Sequence, residues 1–162
     1  MLPDTVAGEA IAGEIERECP GAIESGIRDR GELILLVGAE RIREVCAFLR
    51  RSAGFSRLCA VTAVDRFPGE PRFEVVYQLH SIERGERLRL KCRVGGQDPE
   101  IDSVTGVWPG ADWYEREVFD LFGVGFRGHP NLKRILMPED WDGHPLRKDY
   151  PVHGHKYDYQ DD

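Results

Sequence analysis

Residues 72–94 have the sequence "RFEVVYQLHSIERGERLRLKCRV". It contains two segments in which apolar and polar side chains alternate, separated by the turn "ERGE". The apolar positions are Phe73, Val75, Tyr77 and Leu79 before the turn and Leu88, Leu90, Cys92 and Val94 after it. A period of two predicts β-strands, and a tight turn predicts antiparallel pairing with one buried and one wetted face.

The sequence before this hairpin predicts two more strands and two helices. They are a buried strand "LILLV" at 33–37, a β-branched strand "RLCAVTAVD" at 57–65, and helices at 5–18 and 39–51. Asp4 is the expected cap of the first helix, and the second spaces apolar residues at i, i+3, i+4 and i+7 from Ile42. We therefore predict an α+β fold, in which residues 1–95 form a two-layer sandwich with helices on one face of a small, mainly antiparallel sheet.

The wetted face of the last strand is basic, with Arg87, Arg89, Lys91 and Arg93 at alternate positions. Three interpretations remain open: cross-strand pairing with acids such as Glu74, docking on an acidic partner, and nucleic-acid binding. Nucleic acid is disfavoured because the chain carries a formal net charge of -7 and this face has no interleaved aromatic residues.

Composition excludes several classes of protein. The 162 residues suit one globular domain, and no apolar run approaches the roughly 20 residues of a membrane span. The N-terminus lacks the basic start and apolar centre of a signal peptide. Four scattered cysteines (Cys19, Cys46, Cys59 and Cys92) predict buried thiols in a reducing compartment rather than a zinc or iron–sulfur site.

Residues 96–123 read as a helical segment. Asp98 followed by Pro99 predicts a helix start, and Asp112 predicts a second start that runs to Gly123. In "DWYEREVFDLF", residues 112–122, the polar side of the helix is formed by Arg116, Glu117 and Asp120, which we expect to face solvent or a partner.

Glu115 is the acid that does not fit this pattern, because it falls within the apolar arc of the helix. An ionised carboxylate there is costly unless it is paired and hydrogen-bonded. Three roles are open: completing a capping box with Asp112, forming a buried ion pair with Arg127, Lys133 or Arg134, or acting as a catalytic acid.

Residues 124–162 form a tail that obeys neither a helical nor a strand period. Two segments echo each other, "GHPNLKRILMP" at 128–138 and "GHPLRKDYP" at 143–151. Prolines exclude a continuous helix, and the many apolar side chains exclude a solvated coil. We predict an extended tail lying partly on its own domain and partly on a second protein. Its histidines, His129, His144, His153 and His155, give only a weak indication of a metal site.

At this point residues 113–151, "WYEREVFDLFGVGFRGHPNLKRILMPEDWDGHPLRKDYP", closely resemble the signature of the C subunit family of respiratory complex I, also called the 30 kDa subunit family. The Glu-Arg-Glu-x-x-Asp motif of the family is present at 115–120, and the spaced histidine and basic residue that follow it are His129 and Lys133.

The resemblance implies a scaffold subunit in the hydrophilic arm of a proton-pumping NADH:quinone oxidoreductase. Such a subunit has no flavin, iron–sulfur cluster or quinone chemistry of its own, so FMN and the clusters are expected in partner subunits. It packs on the large D subunit, beside the iron–sulfur B and I subunits, as a peripheral protein on the cytoplasmic side of the bacterial inner membrane. Related subunits occur in energy-converting hydrogenases, F420H2 dehydrogenases and photosynthetic NDH complexes.

We accordingly predict that this chain alone is non-catalytic, that it holds no cofactor or metal, and that Glu115 is a structural buried acid. The residues predicted to contact partners are Arg116, Glu117, Asp120, His129, Lys133, Arg134, Trp141, His144, Arg147, Lys148, Asp149 and Tyr150.

Overall fold

The computed structural model of the chain describes residues 1–153; His155 and the end of the predicted tail lie outside the described residues. The helices are α1 (Ala10–Glu18), α2 (Ile42–Arg51) and α3 (Ala111–Phe122), with 3-10 turns at Asp4–Val6 and Ala39–Arg41. The strands are β1 (Ile23–Asp29), β2 (Glu32–Val37), β3 (Arg57–Asp65), β4 (Phe73–Ser81), β5 (Glu86–Val94), β6 (Glu100–Asp102) and β7 (Gly125–Arg127).

Five strands form a mixed sheet in the order β1-β2-β5-β4-β3. The hairpin predicted from residues 72–94 is confirmed, since β4 and β5 pair antiparallel from Phe73 opposite Val94 to Ser81 opposite Glu86. Strands β1 and β2, and likewise β3 and β4, also pair antiparallel, whereas β2 and β5 are parallel. The α+β class and the mainly antiparallel sheet are therefore confirmed.

All three helices contribute to one hydrophobic core on a single face of this sheet. Tyr77 and Leu90 from the sheet are completely buried in it, together with Ile15 of α1 and Leu49 of α2. Helix α3 joins the same core, because the ring of Phe122 meets the ring of Phe73 edge-on at 6.5 Å. The alternate side chains of β5 point the other way and form the wetted face.

The first helix and the first strand differ from expectation. Helix α1 begins at Ala10 rather than at residue 5, and Asp4 lies in a 3-10 turn without capping a helix. Strand β1 was not predicted, because its sequence "IESGIRD" buries only Ile23 and lacks an alternating apolar pattern. The two features are connected: Val6 of the 3-10 turn packs against the backbone of Gly26 in β1.

The predicted helix start at Asp98–Pro99 is wrong. Residues 100–102 form β6 instead, which pairs in parallel with β7 and sets Ile101 opposite Phe126, both of them buried. The second predicted cap is also wrong, because α3 begins at Ala111 and no side chain caps its N-terminus. Its end is confirmed: Gly123 has a φ of 73°, the left-handed conformation that favours glycine.

A pair of glycine substitutions tests this packing. Gly26→Ala should lower the free energy of unfolding by about 1–3 kcal/mol, since its Cβ would lie 2.7 Å from Val6 Cγ1 and 3.0 Å from the Ile34 carbonyl oxygen. The control is Gly13→Ala in α1, where no atom lies within 4 Å of the new Cβ. It should raise the free energy of unfolding by about 0.5–1 kcal/mol. Equal urea midpoints for the two variants would contradict the proposed contact.

Candidate functional site

The Asp120 carboxylate is completely buried and binds the tail directly. Its Oδ2 accepts backbone N–H bonds from Ile135, Leu136 and Met137 at 3.0, 2.7 and 2.8 Å. Its Oδ1 accepts a bond from Arg134 Nη1 at 2.7 Å. Burial alone would raise the pKa of Asp120, but these donors outweigh it and lower the pKa below its ordinary value. The charged carboxylate therefore fixes residues 134–137 against α3.

Arg134 connects this point to the second Gly-His-Pro segment. Besides the carboxylate, its Nη1 donates to the main-chain carbonyl of Asp120 at 3.1 Å. Its Nη2 donates to the carbonyls of Trp141 and Gly143, both at 2.9 Å. A planar guanidinium offers several donors in a fixed geometry, so one side chain here holds three separate backbone positions together.

Arg116 binds the preceding part of the tail. Its Nε and Nη2 donate to the carbonyls of Lys133 and Arg134, each at 3.1 Å. The guanidinium carbon lies 5.2 Å from the centre of the Trp113 ring, within the range of a cation–π contact. Arg116 is thereby sandwiched between the tail and an aromatic ring of its own helix.

The second Gly-His-Pro segment supplies donors to the C-terminal end of α3. The carbonyls of Asp120, Leu121 and Phe122 accept bonds from His144 Nδ1 at 2.8 Å, Leu146 N at 3.0 Å and Arg147 Nε at 2.6 Å. These carbonyls are among those that a helix end leaves without an internal partner. Burial lowers the pKa of His144, and its bond to a carbonyl places a proton on Nδ1.

The tail then returns to the end of β3. Asp65 accepts the Lys148 backbone N–H at 2.8 Å and two bonds from Arg72 at 2.9 and 2.8 Å. Arg72 also binds the Asp149 carboxylate. Burial raises the pKa of Asp65, but the bonds from Arg72, Lys148 and the Phe67 N–H lower it to about 2. A second ionised, nearly buried carboxylate therefore secures the tail at Lys148 and, through Arg72, at Asp149.

Glu115 plays a different part, on the opposite side of α3. Its carboxylate is completely buried and accepts bonds from the Ser103 hydroxyl and the Val104 N–H, both at 2.7 Å. Burial raises its pKa to about 7 in spite of these bonds. The capping box and the buried ion pair considered for Glu115 are both wrong. Its carboxylate caps no helix, and it forms no ion pair with an arginine or lysine of residues 1–153. It holds the loop after β6 instead.

His129 lies beside this acid with its side chain fully buried. Its Nδ1 accepts the Asn131 N–H at 3.0 Å, so the proton sits on Nε2, which donates to the Asp112 carbonyl at 3.2 Å. Nε2 is 4.0 Å from Glu115 Oε2. Within residues 1–153, no three side chains of His, Cys, Asp or Glu are grouped so as to hold a metal ion.

The polar side of α3 was expected to face outward, and for two of its residues this is wrong. Asp120 and Arg116 are buried, and only Glu117 is exposed. The helical period identified the polar face correctly, but it carries no information about a distant segment that covers that face. The tail is that segment.

The remaining predicted contact residues divide between bonded and exposed ones. Those whose side chains bind elsewhere in the chain are His129, Arg134, His144, Arg147, Asp149 and Tyr150, the last through its hydroxyl to the Asp142 carbonyl at 3.2 Å. Lys133 and Lys148 are exposed, and Trp141 is half-buried. Their contact with partner subunits stays a prediction.

Three exposed apolar residues were missing from the predicted contacts. Trp113 and Leu136 are each 60% exposed, and Leu146 is 52% exposed. Leu136 and Leu146 lie over the second half of α3, since their N–H groups bind Asp120 and Leu121. Trp113 could have been identified from the sequence, because it falls outside the apolar arc of its helix. The exposure of the two leucines depends on the path of the tail, which no local pattern gives.

Removing the charge of Asp120 should detach the tail. We expect Asp120→Asn to lower the free energy of unfolding by about 3 kcal/mol, because buried donors lose a charged acceptor. Trypsin should also cut after Lys133 and Arg134 at least tenfold faster. Glu117→Gln is the matched control, since it removes the same charge from an exposed site of the same helix. Equal cleavage rates for both variants would contradict the role given to Asp120.

Glu115 should make stability depend on pH. Its pKa is raised from an ordinary 4.5 to about 7 on folding, so the folded state binds the proton more tightly. This stabilisation is complete below pH 4.5 and is lost as the pH rises to 7. Glu115→Gln keeps a neutral side chain, so its stability relative to the wild type should increase by about 3 kcal/mol between pH 4.5 and pH 8. A difference that does not vary with pH, measured by urea unfolding, would count against this.

Comparison with known proteins identifies relatives of this chain. Residues 35–156 match the family model described as "Respiratory-chain NADH dehydrogenase, 30 Kd subunit". The chain is 46% identical over 158 residues to the C subunit of NADH-quinone oxidoreductase from Salinispora arenicola, covering 94% of this chain and 64% of that protein. It is 52% identical over 126 residues to the C subunit from Geobacter sulfurreducens, covering 77% of this chain and 78% of that protein.

Two solved structures share the fold. A trypsin-resistant fragment of Nqo5 superposes with a TM-score of 0.60 and 35% identity, over 65% of this chain and 86% of the fragment. A chain of the membrane-bound sulfane sulfur reductase, an archaeal respiratory membrane complex, superposes with a TM-score of 0.77 and 32% identity, over 90% of this chain and 86% of that one. The match to the family model extends through α3 and the tail, and the chain belongs to the family of the 30 kDa subunit of the respiratory-chain NADH dehydrogenase.

Proposed function

We propose that this chain is the non-redox scaffold C subunit of a proton-pumping NADH:quinone oxidoreductase. The observation that carries the proposal is that the charged residues of the family motif bind other parts of the same chain. Arg116 and Asp120 bind the chain's own tail, and Glu115 binds the loop after β6. Arg116 and Asp120 thereby build a surface on α3 rather than a reaction centre, while Glu115 has a structural role on the opposite side of the helix.

The surface that they build has the composition of a protein interface. Trp113, Leu136 and Leu146 are large apolar side chains held more than half exposed. Lys133, which precedes Leu136, and Lys148, which follows Leu146, are also exposed. Exposed apolar groups with a charged rim, fixed on a rigid backbone, are typical of sites that a partner covers. We assign this surface, which we call the α3 platform, to contact with the large D subunit.

The remaining parts of the proposal rest on what the family resemblance implies. The iron–sulfur B and I subunits are the expected neighbours, and FMN and the iron–sulfur clusters belong to partner subunits. The chain is a peripheral member of the complex on the cytoplasmic side of the membrane. No helix within residues 1–153 is long and apolar enough to cross a bilayer.

A second candidate is the equivalent subunit of a related membrane-bound complex with another electron donor. The likeness to the sulfane sulfur reductase chain, with a TM-score of 0.77, favours it. The first candidate is preferred because identity to the two named C subunits of NADH-quinone oxidoreductase is 46% and 52%, against 32% for that chain.

Paired substitutions on the α3 platform test the scaffold function. Trp113→Ala with Leu136→Ala should reduce co-purification of the large D subunit at least tenfold, and NADH:quinone activity of the membranes should fall in proportion. The unfolding midpoint should change little, because both side chains are mostly exposed. The matched control is Ile82→Ala, which removes a 65% exposed side chain from the turn after β4.

Two outcomes would count against the proposal. Full recovery of the large D subunit with the paired variant would remove the α3 platform from the interface. Recovery of a complex that transfers electrons from hydrogen or F420H2 but not from NADH would favour the second candidate.

A further inference from the structure

The five-stranded sheet has a second face that no helix within residues 1–153 covers. The helices all pack on the side of Tyr77 and Leu90. The opposite side, which we call the outer sheet face, presents the alternate residues of each strand. They are Ser25, Ile27 and Asp29 of β1, Glu32, Ile34 and Leu36 of β2, Arg87, Arg89, Lys91 and Arg93 of β5, Glu74, Val76, Gln78 and His80 of β4, and Arg57, Ala60, Thr62 and Val64 of β3.

The outer sheet face is basic although the chain as a whole has a formal net charge of -7. Some of its cations are neutralised within the sheet. Lys91 Nζ lies 2.9 Å from Glu74 Oε1, which confirms the cross-strand pairing expected for that acid, and Arg89 pairs with Glu32. The others, Arg57, Arg87 and Arg93, are exposed, and none of them forms an ion pair with a residue in the described part of the chain.

Exposed apolar side chains lie at both edges of this face. Ile27 is 59% exposed and Val64 is 37% exposed, and they lie on the two edge strands. Ile34 and Leu36 are half-buried beside Ile27. A flat surface with apolar contacts and unpaired arginines matches the composition of the sites at which proteins bind each other, where arginine is enriched and its charge selects the partner.

The positive charge of the outer sheet face indicates which kind of molecule binds there. A second copy bound through a two-fold axis would bring this basic face against itself, which costs free energy through like-charge repulsion. A nucleic acid would meet no aromatic side chain for base stacking, because Phe73 and Tyr77 point to the other side. A protein with an acidic surface satisfies both the free arginines and the apolar side chains.

We propose that the outer sheet face binds an acidic surface of a partner protein, through Arg57, Arg87 and Arg93 together with Ile27 and Val64. The α3 platform is built on the helical side, so this is a second interface with a different partner surface, and the chain bridges two neighbours. The inference rests on the proposed function only in that the partner is expected to be another subunit of the same complex.

Charge reversal tests the proposal in the full chain, expressed with a tag in its own host. Arg87→Glu with Arg93→Glu should reduce recovery of one partner at least tenfold. The binding that remains should no longer weaken in 0.5 M salt, because at that ionic strength the Debye length is on the order of a few Å and only charge–charge attraction is lost. Arg17→Glu with Arg50→Glu makes the same change of charge on the helical side and should leave recovery unchanged. Arg87→Gln with Arg93→Gln serves if the reversed variant unfolds, and should lose at least threefold.

A coupling experiment then identifies the surface in contact. Arg93→Lys places an amine on the outer sheet face, and carbodiimide treatment of the isolated complex should join it to an Asp or Glu of a partner subunit. The matched variant Arg50→Lys on α2 should not yield that peptide. The coupled peptide is independent of the electron donor, so the proposed function can fail while this coupling succeeds.

Four results would overturn the inference. In the coupling experiment, the result would be an amine joined only to Glu74 of the same chain. In the recovery experiment, it would be unchanged recovery of every partner with Arg87→Glu and Arg93→Glu, or bound nucleic acid that nuclease removes together with the partner. For the purified chain, it would be a self-associated form that the same two substitutions dissociate.

Discussion

The position of residues 134–137 on α3 depends on one buried carboxylate. Asp120 accepts three consecutive backbone N–H groups and an arginine, and these bonds fix the register between α3 and the tail. Three consecutive N–H groups can converge on one oxygen only if the backbone curves around it, so the acid determines the local shape of the chain as well as its position. A segment without helix or strand bonds of its own thereby obtains fixed partners for its backbone.

Asp65, Glu115 and Asp120 are buried acids that each bind backbone N–H groups of irregular segments. The pKa of Asp120 and that of Asp65 are lowered, because both meet an arginine and backbone donors. The pKa of Glu115 is raised, because only a hydroxyl and one N–H compensate for its burial. At neutral pH the first two are secure attachment points, whereas the third lies close to its own titration. The attachment of the loop after β6 is therefore the one that responds to protons.

The sequence predicted those parts of the fold that depend on local patterns. The β4–β5 hairpin, α2 and the end of α3 at Gly123 follow from a period of two, a period near 3.6 and a left-handed glycine. The polar edge strand β1 was missed, and Asp98 was misread as a helix cap, because long-range pairing decided both segments.

In the candidate site, the residue types were recognised but their directions were not. Asp120, Arg116 and Arg134 stood out as charged residues of a motif, yet they point inward because the tail covers them. Periodicity describes which residues share a face and says nothing of what lies on it. The exposed leucines of the tail escaped prediction for the same reason: their direction is set by bonds to α3, more than ten residues away.

The contact between Lys148 and Asp65 has a consequence for the order of events in the cell. The Lys148 N–H binds a carboxylate at the end of a strand that is synthesised more than eighty residues earlier. The backbone bonds that position Leu136 and Leu146 join them to Asp120 and Leu121 of α3, so those positions exist only when the tail lies on the helix. Under the proposed function, a partner that binds these leucines in those positions would therefore meet only chains whose tail already lies on α3.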